Sequence, residues 1–230
     1  MTVLQPRSLS IAVGDAGHVS ALLLAPPKPR ACFVLAHGAG AGMTHAFMSR
    51  AADSFAAHGV ATLRFEFPYM EKGSKRPDPP AVAQAAVRAA VAAASRLCPG
   101  VPLIAGGKSF GGRMTSQAQS LAPLPGVSGL GFLGFPLHPA GKPSIARAEH
   151  LDAIDVPMLF LQGTRDKLAE MELLVPVVKR LGARATLHRL DQADHAFHVP
   201  ARSGRNDQAV LEELTQAFAS WLETIAARAD

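Results

Sequence analysis

The sequence predicts an α/β fold, a mostly parallel sheet of about eight strands covered by helices on both faces. Three observations carry this expectation. From residue 31 onward, short β-type runs alternate with helical stretches, the pattern of parallel strands joined by crossover helices. Several of those runs are apolar throughout, as strands buried on both faces must be. Two earlier runs, residues 9–13 and 19–24, follow each other too closely for a crossover, so they predict an antiparallel hairpin on the edge of the sheet.

Taken in order, residues 32–36 open the parallel part, and residues 46–58 read as a helix stopped by Gly59. A strand over 61–67 leads into a stretch to residue 80 with four prolines plus Lys72, Lys75 and Arg76, which reads as an irregular loop. An alanine-rich helix over 81–97 stops near Pro99 and Gly100, and strand 102–106 precedes a helix starting at about Gly112. Strands 129–134 and 157–162 follow, then a helix over 170–181 stopped by Gly182, then strand 185–190. The last helix repeats Leu211, Leu214, Phe218, Trp221, Leu222 and Ile225 at helical spacing, so one apolar face covers the sheet and Trp221 belongs to the core. Neither an internal repeat nor a low-complexity linker divides the chain, and residues 1–230 are expected to form one domain.

Composition narrows the function. Hydrophobic residues at 48% and charged residues at 18% describe a folded chain long enough to bury a real core. A net charge of +5 would permit an acidic partner, but basic residues are scattered and aromatics are 6%, which argues against nucleic-acid binding. Lys72, Lys75 and Arg76 as an anionic-polymer site is the weaker reading beside a solvated loop. Cys32 and Cys98 fit no disulfide framework and no zinc or redox spacing, and both are expected as buried thiols. Residues 1–10 lack the pattern of a secretory leader, and the early apolar run 21–25 is too short to span a bilayer, so a cytoplasmic protein with no membrane partner is expected. Nothing in the sequence calls for a metal or other cofactor.

Chemistry concentrates at three places. Gly107-Lys108-Ser109-Phe110-Gly111 fits GxSxG, in which a serine sits on a sharp strand-to-helix turn and flanking glycines relieve backbone collisions. Composition alone predicts about 0.1 such matches by chance, so context decides: the pentapeptide follows an apolar run and precedes a helical stretch, the order such an elbow requires. Serine needs a base held by a third group. His195, just beyond the last predicted strand, is expected as that base, with His198 as its competitor. Asp166 follows strand 157–162 through Gly163-Thr164-Arg165 and is expected as the orienting acid, since no Asp or Glu occurs between Leu121 and Ala148. Its alternative is a turn aspartate bonded to its own backbone, while Asp191 and Asp194 read as loop-shaping residues. The N–H groups of Phe110 and Ala39 are expected to form the oxyanion hole, with Gly40 as fallback, and His37 reads as structural.

The segment His37 to Gly40, the pentapeptide Gly107 to Gly111, Asp166 and His195 together resemble the α/β-hydrolase superfamily, in its nucleophile, acid, histidine order. The short length and the segments Gly-Thr-Arg-Asp and Ala-Asp-His-Ala-Phe look like the dienelactone-hydrolase-like group, with its uncharacterised bacterial and testis-expressed relatives. This resemblance implies an acyl-enzyme mechanism on a small substrate. Dienelactone hydrolases proper use cysteine where this chain has Ser109, so the resemblance does not carry lactone specificity over to it. Residues 135–150, where larger relatives carry a lid, are too few for one, which implies an open site for small or protruding acyl groups. A non-catalytic binding protein that keeps the fold is the alternative. Lys108, Arg165, Lys167, Lys72, Lys75, Arg76 and Lys142 fall on strand-end loops and suggest an anionic substrate.

Overall fold

Backbone hydrogen bonds join eight strands into one sheet in the computed structural model, which describes residues 4–226. The strands are β1 (Arg7–Ala12), β2 (His18–Leu24), β3 (Ala31–Ala36), β4 (Val60–Phe65), β5 (Leu103–Lys108), β6 (Val127–Leu133), β7 (Met158–Gly163) and β8 (Ala185–Leu190). Their order is β1-β2-β4-β3-β5-β6-β7-β8. The β1–β2 hairpin is antiparallel and attaches antiparallel to β4, while every other pairing is parallel. The chain therefore moves to one side of β3 to form β4 and to the other side to form β5. Such a reversal opens a crevice beyond the carboxyl ends of those strands, the usual place for a ligand in an open parallel sheet.

Six helices accompany the sheet: α1 (Ala46–Ala57), α2 (Pro68–Glu71), α3 (Pro80–Leu97), α4 (Phe110–Leu121), α5 (Met171–Leu181) and α6 (Asp207–Ala226). Alternation along β3 shows how the layers form. Cys32, Val34 and Ala36 pack with α3, α4 and α5, whereas Phe33 and Leu35 pack with α1 and α6. On the second face Phe33 sits 5.3 Å from Phe55 and 4.7 Å from Phe218, ring centroid to centroid. Gly131 lets α6 come this close, because a Cβ there would lie 2.7 Å from Phe218 Cε2. Cys32 and Cys98 are buried free thiols, as their spacing predicts.

Two expectations need correction. The stretch 67–80 is not wholly irregular: β4 ends at Phe65, the Phe67 N–H donates to His37 Nε2 (3.0 Å) instead of to the sheet, and Pro68 starts α2. Asp78 then caps that short helix by accepting from the Tyr69 N–H (2.8 Å). Helix α4 starts at Phe110, ahead of the expected Gly112. Gly111 and Gly112 are poor helix formers that hide the start in the sequence. They stand inside the helix because a Cβ would lie 2.5 Å from Ala36 O at Gly111 and 2.8 Å from Gly107 O at Gly112.

Candidate active site

Ser109 occupies the single residue between β5 and α4, with φ +49° and ψ −112°, a strained conformation for a residue with a side chain. The neighbouring structure holds it there: its N–H donates to Leu133 O (3.1 Å) and its C=O accepts from the Arg113 N–H (3.1 Å). Gly107 supplies the other requirement, since a Cβ there would lie 2.2 Å from Ala36 O. The sharp turn and its small flanks therefore follow from strand β3 passing directly alongside.

Two loops from the far side of the sheet bring the other expected residues to this turn. His195 Nε2 lies 2.8 Å from Ser109 Oγ, and His195 Nδ1 lies 2.7 Å from Asp166 Oδ2. With Nδ1–H donated to the carboxylate, Nε2 is left with its lone pair facing the serine hydroxyl. Asp166 is 2% exposed and its acceptor capacity is used. Oδ1 accepts from the Leu168 N–H (2.8 Å), and Oδ2 also accepts from Gln162 Nε2 (2.6 Å). Gln162 in turn accepts from the Phe135 N–H (2.8 Å), so it ties the end of β7 to the segment after β6. This residue is absent from the sequence reading, and its only signal is a polar side chain in an otherwise apolar strand.

The loop bearing His195 is shaped by the two aspartates expected to shape it. Asp194 Oδ1 accepts from the N–H groups of Ala196 (2.8 Å) and His198 (2.9 Å), and Asp191 accepts from Thr164 Oγ1 (3.3 Å). Gly163 lets that loop press on the one bearing Asp166, since a Cβ there would lie 2.3 Å from Ala193 O. His198 is directed elsewhere. Its Nδ1 lies 3.0 Å from Asp207, a hydrogen bond that raises its pKa, and it takes no part in the chain to Ser109.

Phe110 is the first residue of α4, where an N–H has no acceptor within the helix, and Ala39 lies in the turn after β3. Tyr69 Oη donates to Ala39 O (2.9 Å), and Glu66 accepts from the Met43 N–H (3.0 Å), so this turn is anchored at both ends. His37 is fully buried, with Nδ1–H donating to Gly38 O (2.7 Å) and Nε2 accepting from Phe67; it serves the turn, as expected. Among the described residues no group of His, Cys, Asp and Glu could hold a metal ion, and no helix is long and apolar enough to cross a membrane.

A family model described as alpha/beta hydrolase domain matches residues 29–223. The chain belongs to this α/β-hydrolase family. Solved structures agree on the fold. A dienelactone hydrolase from Anabaena variabilis is similar with a TM-score of 0.76 at 17% identity, over 96% of this chain and 98% of that one. A serine hydrolase without lid from Xanthomonas campestris gives 0.71 at 18% identity, over 95% and 97%. An esterase from Pyrococcus furiosus gives 0.74 at 15% identity, over 96% and 93%.

In this α/β hydrolase Ser109 opens into a hollow of about 420 Å³ whose walls include Ala39, Ala41, Phe47, Met48, Lys108 and His195. A larger hollow of about 680 Å³ lies beyond His195, lined by Arg165, Lys167, Glu170, Glu172 and Asp194 among others, and excludes Ser109. Arg165, Lys167, Lys72 and Arg76 therefore do not line the hollow at Ser109. Arg165 and Lys167 share their hollow with carboxylates, and Lys72 and Arg76 line a separate one with Asp78. Lys108 does line the hollow at Ser109. Its Nζ donates to His195 O (2.5 Å) and lies 4.9 Å from the centroid of the Phe197 ring. Burial pushes this ammonium down to about 8, against the opposing pull of Asp166 and Asp194.

Proposed function

We propose that this α/β hydrolase cleaves an ester, thioester or related acyl bond of a small substrate through an acyl-enzyme on Ser109. The observation that carries the reading is the unbroken hydrogen-bond chain from Ser109 Oγ through His195 to the buried Asp166 carboxylate, at 2.8 and 2.7 Å. In the first half-reaction Ser109 Oγ attacks the acyl carbon while His195 Nε2 takes its proton, and Asp166 stabilises the imidazolium. The tetrahedral oxyanion is received by the N–H groups of Phe110 and Ala39. Its collapse breaks the bond to the leaving group, which departs with the proton from His195. Water then repeats the sequence: it gives a proton to His195, its oxygen bonds to the acyl carbon, and Ser109 leaves with that proton restored.

The apolar walls around Phe47 and Met48 favour a short acyl or alcohol group, and the chain is read as one cytoplasmic domain. A fluorophosphonate probe is expected to label the wild type, and Ser109→Ala is expected to remove both labelling and at least about 10³-fold of kcat/KM on 4-nitrophenyl esters. Turnover should fall as the acyl chain of those esters is lengthened beyond what the hollow holds. A wild-type protein that neither takes the probe nor turns over any ester of the series would return the chain to the non-catalytic reading.

A further inference from the structure

Beside the first turn of α4 stand two arginines for which the protein supplies no counter-charge. Arg113 is four residues after Ser109, in the first turn of α4, and its guanidinium carbon lies 5.8 Å from the centroid of the Phe110 ring. Arg147 belongs to the 3₁₀ segment Ala146–Ala153, which packs on α4. A bridge joins the two segments: His150 Nε2 donates to Ser116 Oγ (2.8 Å), which donates to Arg113 O (2.9 Å). Side chains three residues apart share a face in both kinds of helix. The bridge that sets His150 against Ser116 therefore brings the Arg147 and Arg113 positions onto facing sides of the two segments, near enough for the charge of Arg147 to act on Arg113.

Both residues are half-buried. Burial lowers the pKa of each, and the charge of Arg147 lowers that of Arg113 further. Arg113 Nε is shielded from solvent with no hydrogen-bond partner, and among the described residues neither arginine has an acceptor for its guanidinium. Other enclosed arginines donate from their terminal nitrogens, as Arg113 and Arg147 do not: Arg64 to Met43 O and Ser49 Oγ, though its Nε is also unpartnered, Arg88 to Ala118 O and Ala122 O, and Arg205 to Glu213. His150 offers no compensation, since burial and then Arg113 hold it down to about 4, and Glu149 on the same segment is exposed and makes no ion pair among the described residues. A guanidinium does not shed its proton at ordinary pH, so two such charges near each other, each partly shielded from water and without an acceptor, are stabilised by an anion between them.

We propose that Arg113 and Arg147 form a subsite for an oxyanion carried by the substrate, a carboxylate or a phosphate group, held about one helical turn from Ser109. The planar fork of a guanidinium matches both groups in two parallel hydrogen bonds. The inference rests on the Ser109 reading and gives its substrate a class: acyl compounds with a negative charge near the scissile bond. It also moves the anionic preference from the strand-end lysines and arginines expected from the sequence to Arg113 and Arg147.

The test separates the subsite from the chemistry. In Ser109→Ala, inorganic phosphate and mono-4-nitrophenyl succinate are titrated by calorimetry, with and without Arg147→Gln. At least one of the two is expected to bind, and Arg147→Gln to weaken it about tenfold or more. The Tm of the unliganded protein should hold or rise in Arg147→Gln, because a repelling charge is gone, whereas a purely structural arginine would lower it. In the Ser109 enzyme, kcat/KM for the succinate half-ester over 4-nitrophenyl butyrate should exceed unity about tenfold when carboxylate is the ligand, and return toward unity in Arg147→Gln. Phosphate binding without that ratio assigns the subsite to phosphate. Binding of neither anion, or binding equal with and without Arg147, overturns the proposal. Failure of the hydrolase reading shows separately, as absent probe labelling and absent turnover of the neutral ester.

Discussion

Lys108 shows how one side chain next to a reactive serine shapes the stability of the whole fold. Its ammonium is bonded to the carbonyl of His195 and feels the charges of Asp166 and Asp194. In the folded state burial lowers its pKa to about 8, below the ordinary 10.5. Below pH 8 the fold therefore holds a charge it disfavours. Between the two values the native state has released the proton while the unfolded chain retains it, so stability rises with pH, by an amount on the order of 3 kcal/mol across the window. The difference in unfolding free energy between wild type and Lys108→Met, from urea titrations at pH 7.5 and 9.5, is expected to move in favour of wild type at the higher pH. A difference independent of pH would mean that the ammonium is not buried. Taking the variant as reference cancels contributions from other groups that titrate nearby, Cys98 among them.

At the scale of elements, the loops are positioned by strands whose packing is set from both faces. Phe218 of α6 is fully buried against Phe33 of β3 and Phe55 of α1, with ring centroids at 4.7 and 4.9 Å. Phe218→Ala is expected to lower the unfolding free energy by about 3–5 kcal/mol, measured by urea denaturation, since the rigid ring neighbours cannot collapse into the space. A loss near 1 kcal/mol would show that the layer repacks. This α6 face is legible in the sequence because a 3.6-residue apolar period needs no partner to be seen. Ser109, Asp166 and His195 are legible for a related reason: each follows an apolar run at a glycine-marked turn or loop, so strand order alone brings them to one edge. Gln162, Lys108, Arg113 and Arg147 are not. Their surroundings come from segments 27 to 87 residues away or from a 3₁₀ turn with no periodic signal, and only the packed structure decides whether such a polar residue faces solvent or a neighbour. The start of α4 escapes for a local reason, because glycines demanded by the passing strand carry no helix preference.

At the scale of the molecule, the strand-end crevice, the two apolar layers and the C-terminal helix depend on one another. β3 contributes alternate residues to both layers, and α6 closes the layer that α1 begins. Were the chain one cooperative unit, loss of either layer would release the turn at Ser109. The sequence provides its own way to watch this. Trp221 is the single tryptophan of the chain, 5% exposed, with its indole over Gly129, where a Cβ would lie 2.8 Å from the ring. All indole fluorescence thus originates at one point on the underside of β6. Emission is expected to shift to the red when α6 leaves the sheet, and in a urea titration that shift should coincide with the loss of helical circular dichroism. A red shift that comes first would make the C-terminal helix a separable cover, and the intrinsic emission of the native protein would then serve as a label-free gauge of how often that cover lifts.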